Sequence, residues 1–357
     1  MDKFKKIGLT ALGTTLVASS AIAAEATVTG STGYTWSSEE VGTSTTDGIG
    51  FYNNMKMVVS GELDNGWSTT GNMLLTEDAA LSSSWASLTM GGMGTIVVGN
   101  GYGGLGASFD DATPRAYEEN HDGMKTATAM DSLGASHDNG QILYDSPSID
   151  LMGASVSIGL EYAPEASDGA VGDGEVSTSS NLWSSASGAR ANLSYGPLSA
   201  GAYAYELKSD TDNSNGRAPR DGDAMGATWY VNYSAGPVSV GYQIAGLDKQ
   251  VSGAAETANT AKTVAAATGM FEAEQISLAF NVNDDLSIGY GERTETYDAQ
   301  DGANAISDVD MESKKIEFAY TMGSMALKGY QIDTDNPGWD ANASSDEVTE
   351  LSLTFSF

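Results

Sequence analysis

The sequence predicts an all-β protein that folds as an antiparallel transmembrane β-barrel of sixteen strands. The chain ends in Leu351-Ser-Leu-Thr-Phe-Ser-Phe357, where apolar residues alternate with small polar residues up to a terminal aromatic. The same period of two recurs along the chain, with bulky apolar residues on one face and Ser, Gly, Ala, Gln or Glu on the other. After the first 24 residues no apolar run is long enough for a spanning helix. Strands with one apolar and one polar face suit a barrel that has lipid outside and water inside.

The first 23 residues have the pattern of an export signal. Three lysines within the first six residues precede a short apolar stretch, Ile7 to Val17, and Ala21-Ile-Ala23 offers a small-x-small cleavage site. We expect cleavage after Ala23 or Ala24, which leaves residues 24–357 as a single barrel domain. The absence of cysteine suits an envelope protein that does not depend on disulfides.

Sixteen segments carry the alternation, and most are close to the length needed to cross a bilayer at a tilt. Short turns join the two strands of a hairpin, and longer polar segments join one hairpin to the next. An even number of strands places both termini on the side of the short turns. The predicted strands are 26–37, 51–62, 66–77, 83–91, 94–101, 141–146, 151–162, 187–195, 198–208, 225–235, 238–247, 272–282, 286–297, 313–322, 325–334 and 347–357.

Four aromatic residues occupy equivalent places just before short turns: Tyr195, Tyr233, Phe280 and Tyr320. Aromatic side chains prefer the headgroup level of a membrane, so these rings predict part of an aromatic girdle near the short turns. A soluble β-sandwich is the alternative, but sandwiches rarely sustain so many hairpins.

The charge of the chain excludes several functions. Its net charge is −32, with 16 basic residues against 48 acidic ones, which disfavours nucleic-acid and phosphate binding. Catalysis is also disfavoured, because there is no cysteine and both histidines, His121 and His137, fall in one acidic segment where we expect them to be exposed. The sequence therefore predicts a protein that is not an enzyme.

The whole segment after the export signal resembles the general porins of Gram-negative bacteria, in particular those of alphaproteobacteria. The resemblance rests on Ala26-Thr-Val-Thr-Gly-Ser31, Met93-Gly-Thr-Ile-Val-Val-Gly-Asn100, Leu143-Tyr-Asp-Ser-Pro147, a long loop after the fifth strand and the chain terminus. It implies a sixteen-stranded homotrimer in the outer membrane, with periplasmic termini and long external loops. It also implies that the third loop folds inward as a constriction, and that the terminal Phe357 is read by the barrel-assembly machinery.

The loop over residues 101–140 is the longest predicted connection and is rich in carboxylates. Inside the lumen these groups would favour cations over anions; the alternative is a solvated surface loop. Four of them, Asp110, Asp111, Glu118 and Glu119, could also supply oxygen ligands for Ca²⁺, against the alternative of plain solvation. The predicted acidic constriction residues are Asp110, Asp111, Glu118, Glu119, Asp122 and Asp131.

Basic residues on the inward face of predicted strands would line the pore. The alternation selects Lys56, Arg190, Arg293, Lys315 and Lys328. A lipid-facing position near the membrane centre would cost about 2–4 kcal/mol, so we expect all five to point inward. Lys56 is the only basic residue within the first five strands, which argues against a strong transverse field.

The function predicted from these observations is passive diffusion of small hydrophilic solutes and ions through a water-filled, cation-preferring channel. One alternative is a secreted, acidic, Ca²⁺-binding β-protein at the cell surface. Another is a sugar-selective channel, which would need an aromatic track along the lumen. Tyr230 and Tyr330 are the inward candidates for such a track, and two residues are too few to form one.

Overall fold

The structure, a computed structural model, describes residues 25–76, 80–101, 104–124, 140–164, 183–209, 223–248, 270–298 and 308–357. The predicted export signal and Asp131 lie outside the described residues. Within the described ranges, no helix is long and apolar enough to cross a membrane.

The described strands form one antiparallel sheet that closes on itself, because β1 pairs with β2 on one side and with β17 on the other. The strands are β1 (Glu25–Val41), β2 (Ser44–Glu62), β3 (Ser68–Thr76), β4 (Ala80–Thr89), β5 (Thr95–Asn100), β6 (Gln141–Asp145), β7 (Ile149–Leu151), β8 (Ala154–Ala163), β9 (Trp183–Tyr195), β10 (Leu198–Ser209), β11 (Ala224–Ala235), β12 (Val238–Asp248), β13 (Met270–Asn281), β14 (Leu286–Asp298), β15 (Val309–Met322), β16 (Met325–Asp335) and β17 (Asp346–Ser356).

The barrel has sixteen strand positions because β6 and β7 share one. Both pair with β8, and Pro147, which has no N–H to donate to a ladder, separates them. Across the gap the Ile158 N–H donates to the Ser146 hydroxyl oxygen at 2.9 Å, which replaces a ladder carbonyl. The predicted sixteen-stranded antiparallel barrel is therefore confirmed.

Two connections differ from the sequence prediction. The segment between residues 37 and 51 is not a long loop; β1 and β2 continue through it and meet at a two-residue turn, Gly42–Thr43. The predicted strand 151–162 begins at Ala154, because Leu151 ends β7 and the chain turns at Met152 and Gly153, both with positive φ. The polar composition of residues 38–50 concealed the first turn, because it is typical of a long loop. The second turn was concealed because Met152 is a non-glycine residue with a positive φ, which its type does not predict.

The outer face of the barrel is apolar and carries aligned aromatic rings. Each of the four residues predicted to form a girdle pairs with Leu198, Val238 or Leu286, the first residue of a strand that follows a short turn. These rings therefore lie at one level, at the short-turn end. Their register is the one expected for side chains at a headgroup layer.

The end of the chain completes the closure between β17 and β1. The Gly30 N–H donates to the Phe357 carbonyl at 2.7 Å, and the Phe357 N–H donates to the Gly30 carbonyl at 2.9 Å. Phe357 as a residue is 76% exposed, with its side chain on the outside of the barrel. The terminal residue thus contributes main-chain bonds to the seam and leaves its side chain accessible.

Candidate functional site

The described part of the loop after β5, residues 104–124, lies inside the barrel against the wall from β8 to β17. Near its start, the Leu105 N–H donates to Glu161 of β8 at 2.7 Å. Further along, the Tyr117 hydroxyl donates to Glu350 of β17 at 2.9 Å. We call residues 104–124 the inner loop.

An apolar anchor fixes the first turn of the inner loop, a 3₁₀ turn over Gly106–Phe109. Leu105 and Phe109 are fully buried, and the Phe109 ring lies 5.7 Å from that of Tyr203 and 5.6 Å from that of Tyr230. Aromatic pairs at this spacing stabilise beyond their buried area. The lumen wall is therefore partly apolar where the loop covers it.

Asp111 is a hydrogen-bonding hub within the loop. Its carboxylate accepts bonds from the Thr113 N–H and hydroxyl, the Asn120 N–H at 2.8 Å and the Gln275 amide at 2.6 Å. Thr113 and Asn120 also reach the hydroxyl of Ser277 on β13. A carboxylate with this many hydrogen bonds fixes the loop on the wall. Because Asp111 is only 5% exposed, its charge contributes little to the electrostatic potential of the open passage.

Wall carboxylates and amides hold the loop backbone over its remaining length. Glu317 of β15 accepts the Ala116 N–H with one oxygen and the Glu118 N–H with the other. Gln243 of β12 accepts the Ala112 N–H at 2.8 Å and donates to the Phe109 carbonyl at 2.5 Å. Side chains from several strands thus supply hydrogen-bond partners for the main-chain N–H and C=O groups of the loop.

Two of the predicted basic pore residues are covered by the loop. Arg293 is 3% exposed, pairs with Glu295 at 2.6 Å and donates to Gln275 at 2.7 Å. Lys315 is 2% exposed, and its Nζ donates to the carbonyl oxygens of Glu119 at 2.6 Å and Asp122 at 3.1 Å. Both point inward, but the loop separates their charges from the open passage.

The other three basic residues differ in their surroundings. Arg190 forms an ion pair with Asp145 at 2.7 Å and approaches the Ser108 hydroxyl of the loop at 3.4 Å. The Nζ of Lys328 lies 5.0 Å from the centre of the Tyr117 ring. Lys56 stands opposite Thr29 of β1 and Leu74 of β3 and is exposed.

The wall formed by β1 to β4 completes the passage and carries little positive charge. Lys56 is the only Lys or Arg between residues 25 and 100. Its inward neighbours by alternation and register are mainly hydroxyl and amide side chains. They include Thr29, Ser31, Thr35, Asn54, Ser60, Thr70 and Asn72.

The partly exposed acids of the loop are Asp110, Glu118, Glu119 and Asp122. Burial and then the charge of Asp110 raise the pKa of Glu119 to about 7. Burial and then the charge of Asp122 raise the pKa of Glu118. As pH rises through 7 and Glu119 loses its proton, the negative charge of the inner loop increases beside a wall with little positive charge.

His121 contradicts the expectation that both histidines are exposed, because it is only 8% exposed. Burial and then the charge of Arg293 lower its pKa to about 4, so the ring is neutral at physiological pH. His137 lies outside the described residues. The acidic sequence around His121 concealed the burial, because it predicts solvation of the whole segment.

The four carboxylates predicted for Ca²⁺ do not come together as one group in the described structure. Asp111 is engaged in the hub, whereas Asp110 and Glu119 meet His121, with one ligand atom of each within 4.8 Å of the others. The Ca²⁺ site remains a prediction.

Sequence reasoning missed the wall residues that hold the loop. Their inward position follows from the alternation, but the alternation does not say which inward residues a loop will cover. They are Glu161, Asn232, Gln243, Gln275, Ser277, Glu317 and Glu350.

Comparison with solved structures finds the same barrel in outer-membrane proteins of low sequence identity. OmpF of Salmonella typhi in complex with daunomycin has 13% identity and a TM-score of 0.67 over 93% of this chain and 97% of that chain. The outer-membrane channel DcaP of Acinetobacter baumannii has 13% identity and a TM-score of 0.61 over 95% and 99%. The trimer form of in-vitro folded OmpT of Vibrio cholerae has 12% identity and a TM-score of 0.51 over 93% and 99%.

No curated protein matches the sequence. The Gram-negative porin family, in contrast, matches residues 8–299, which is most of the chain. The assignment to the alphaproteobacterial subgroup stays a prediction. The closed sixteen-stranded barrel, its apolar outer face, the inward loop and this match agree: the chain belongs to the Gram-negative porin family, a channel protein of the bacterial outer membrane.

Proposed function

We propose that this protein is a passive, cation-preferring general diffusion channel for small hydrophilic solutes and ions, with no catalytic step. The observation that carries the proposal is the placement of charge around the inner loop. Asp110, Glu118, Glu119 and Asp122 are partly exposed on the loop, whereas Arg293 and Lys315 are buried beneath it.

This arrangement creates a one-sided field in the passage. Carboxylates within a narrow, low-dielectric lumen raise the local cation concentration and lower that of anions. The facing wall offers Lys56 as its basic group, which is too little positive charge to oppose them. Selection then depends on lumen width and on the loop charge, without energy input.

The alternatives receive less support. A secreted surface protein does not need the apolar outer face of a closed barrel. A sugar track would use Tyr230 and Tyr330, but Tyr230 packs on Phe109 and Tyr330 lies 6.2 Å from the Tyr117 ring. Both rings therefore serve as packing partners of the inner loop.

The test is single-channel recording of the mature, folded protein in a planar bilayer under a KCl gradient. We expect stepwise openings and a reversal potential that favours K⁺ over Cl⁻. A reversal potential that favours Cl⁻ would overturn the cation preference. Absence of conductance from protein that migrates as a folded, heat-modifiable barrel would overturn the channel itself.

A matched pair of variants links the preference to the loop. The double variant E118Q/E119Q removes two loop charges and should bring the K⁺/Cl⁻ permeability ratio severalfold closer to one. The double variant E272Q/E274Q removes two exposed charges on the outer face of β13 and should leave the ratio unchanged. An equal effect of the two variants would contradict the role of the loop.

We further propose a homotrimer embedded in outer-membrane lipid, as the OmpT trimer form suggests by analogy. Conductance steps that occur in threes, together with chemical cross-linking to a trimer and no further, would support this assembly. The exposed Phe357 ring is the proposed contact for the barrel-assembly machinery.

A further inference from the structure

Three potential metal ligands meet on the inner loop: Asp110 and Glu119, which the sequence placed in one cation site, and His121, which it did not. Asp110, Glu119 and His121 each place one ligand atom within 4.8 Å of the other two. The His121 side chain is 7% exposed, while those of Asp110 and Glu119 are 14% and 25% exposed. The cluster is thus open to solvent on its carboxylate side and closed on its imidazole side.

The imidazole of His121 is not fully hydrogen-bonded within the described part of the chain. Nδ1 of His121 is buried without a hydrogen-bond partner in the described structure. Nε2 points at the two carboxylates, 3.4 Å from Glu119 Oε2 and 3.8 Å from Asp110 Oδ2. These distances exceed the usual N–H···O range of about 2.7–3.2 Å. A buried ring aimed at two carboxylates without bonding to them is an incomplete polar site.

The same distances fit a coordination shell. Ligand atoms about 2.0–2.2 Å from a tetrahedral Zn²⁺ ion are about 3.3–3.6 Å from one another. The separation of Nε2 from Glu119 Oε2, 3.4 Å, lies in this range, and that from Asp110 Oδ2, 3.8 Å, lies slightly above it. The third separation, between the Asp110 and Glu119 oxygens, is at most 4.8 Å, and a movement of the partly exposed Asp110 side chain can bring both of its separations into this range.

Glu119 is already oriented for such a role. Its Oε1 accepts from the Arg115 guanidinium at 3.0 Å, and its other oxygen, Oε2, faces His121. A fixed partner on the second oxygen is the usual way in which a protein orients a ligating carboxylate. Arg115 offsets one of the two carboxylate charges, and the second remains available to interact with a dication.

We propose that Asp110, Glu119 and His121 bind one divalent transition-metal ion, with Zn²⁺ as the ion that fits this ligand set best. One nitrogen and two carboxylate oxygens suit Zn²⁺, which binds in protein sites of three ligands plus water. Ca²⁺ takes six to eight oxygen ligands, which this cluster does not supply. The proposal concerns binding alone and does not depend on conduction.

The test is calorimetric titration of the folded, full-length mature protein in detergent with Zn²⁺ at neutral pH, supported by Co²⁺ absorption, which reports tetrahedral coordination. We expect one ion per chain in the wild type. The variants H121A and D110N should each weaken binding at least about tenfold. Heat-modifiable migration on a gel confirms that each variant is folded. If H121A does not fold, the affinity of D110N for Zn²⁺ decides the outcome.

The other histidine of the chain provides the matched control, because H137A should bind Zn²⁺ as the wild type does. Absence of one-to-one binding in the wild type would overturn the proposal. Wild-type affinity in D110N or in folded H121A, or a loss in H137A equal to that in H121A, would overturn the assigned ligands. Displacement of Zn²⁺ by an equal concentration of Ca²⁺ would identify a carboxylate site for hard cations instead.

Discussion

The Nζ of Lys315 donates a 2.6 Å hydrogen bond to the main-chain carbonyl oxygen of Glu119. The same ammonium reaches the Asp122 carbonyl at 3.1 Å and lies 4.1 Å from the centre of the Tyr330 ring. A buried wall cation is therefore bound by the backbone of the inner loop. Phe109 anchors the start of this loop, and Lys315 holds the loop near its end, at Glu119 and Asp122.

The first prediction is that Lys315→Met loosens the inner loop. The substitution removes two hydrogen bonds from a charged donor, each of which contributes about 1.5–3 kcal/mol. We expect a lower midpoint of thermal unfolding in detergent and greater open-channel current noise. Lys314→Met is the matched control, because Lys314 is exposed on the outer face of the same strand. Equal behaviour of the two variants would show that Lys315 does not hold the loop.

The second prediction concerns the hub at Asp111. Asp111→Ala leaves donors of Thr113, Asn120 and Gln275 without their acceptor in a buried place, and we expect a loss of about 3 kcal/mol or more in the free energy of unfolding. Limited proteolysis of the folded barrel should then cut within residues 104–124. Asp150→Ala, which removes one acceptor in an exposed turn, should cost about 1 kcal/mol or less. A resistant loop in the Asp111 variant would contradict this role.

The fold was predictable because a barrel wall needs the same physical pattern at each strand. Glu317 between Ile316 and Phe318 shows both the strength and the limit of that pattern. The alternation correctly places Glu317 on the inner face. It does not reveal that the carboxylate accepts two loop N–H groups, because that depends on how a distant segment folds back. Loop contacts with the wall are long-range and leave no local period in the sequence.

The extent of the first two strands was not predictable for a related reason. Residues 38–50 are rich in Ser, Thr, Gly and acidic residues, a composition typical of loops. The ladder nevertheless continues from Ser38–Asp47 to Val41–Ser44. Beyond the membrane both faces of a strand can be polar, so the hydrophobic period ends before the hydrogen-bonded strand does.

The third prediction is that cation preference falls as pH decreases from about 8 to 5. Glu119 has a pKa raised to about 7, so it gains its proton in this range and the loop loses negative charge. The K⁺/Cl⁻ permeability ratio should fall with an apparent midpoint near pH 7 in a solution that contains a metal chelator. The charged or titratable groups around Glu119 are Asp110, Asp111, Arg115, His121, Asp122 and Lys315.

Glu119→Gln isolates this titration. The midpoint near pH 7 should disappear, and the ratio in the variant should remain near the low-pH value of the wild type. The stability effect has a defined sign: because the folded pKa lies above the unfolded value of 4.5, the protonated form favours folding. That contribution is complete below about pH 4.5 and is lost as pH rises through 7. Glu119→Gln should therefore raise the unfolding temperature relative to wild type at pH 8 but not at pH 4, and the reverse order would contradict the assignment.

The final prediction separates two contributions of Phe357. Its main chain closes the seam with Gly30 through bonds of 2.7 and 2.9 Å, whereas the residue as a whole is 76% exposed. Deletion of Phe357 should therefore cost about 1–3 kcal/mol in the free energy of unfolding, from two lost hydrogen bonds. Phe357→Ala keeps those bonds and should cost less than about 1 kcal/mol in vitro. If the exposed ring is instead read during assembly, Phe357→Ala should reduce the folded protein in the outer membrane nearly as much as the deletion does. If the outer membrane contains as much folded Phe357→Ala as wild type, the ring has no role in assembly and Phe357 contributes only its main-chain hydrogen bonds.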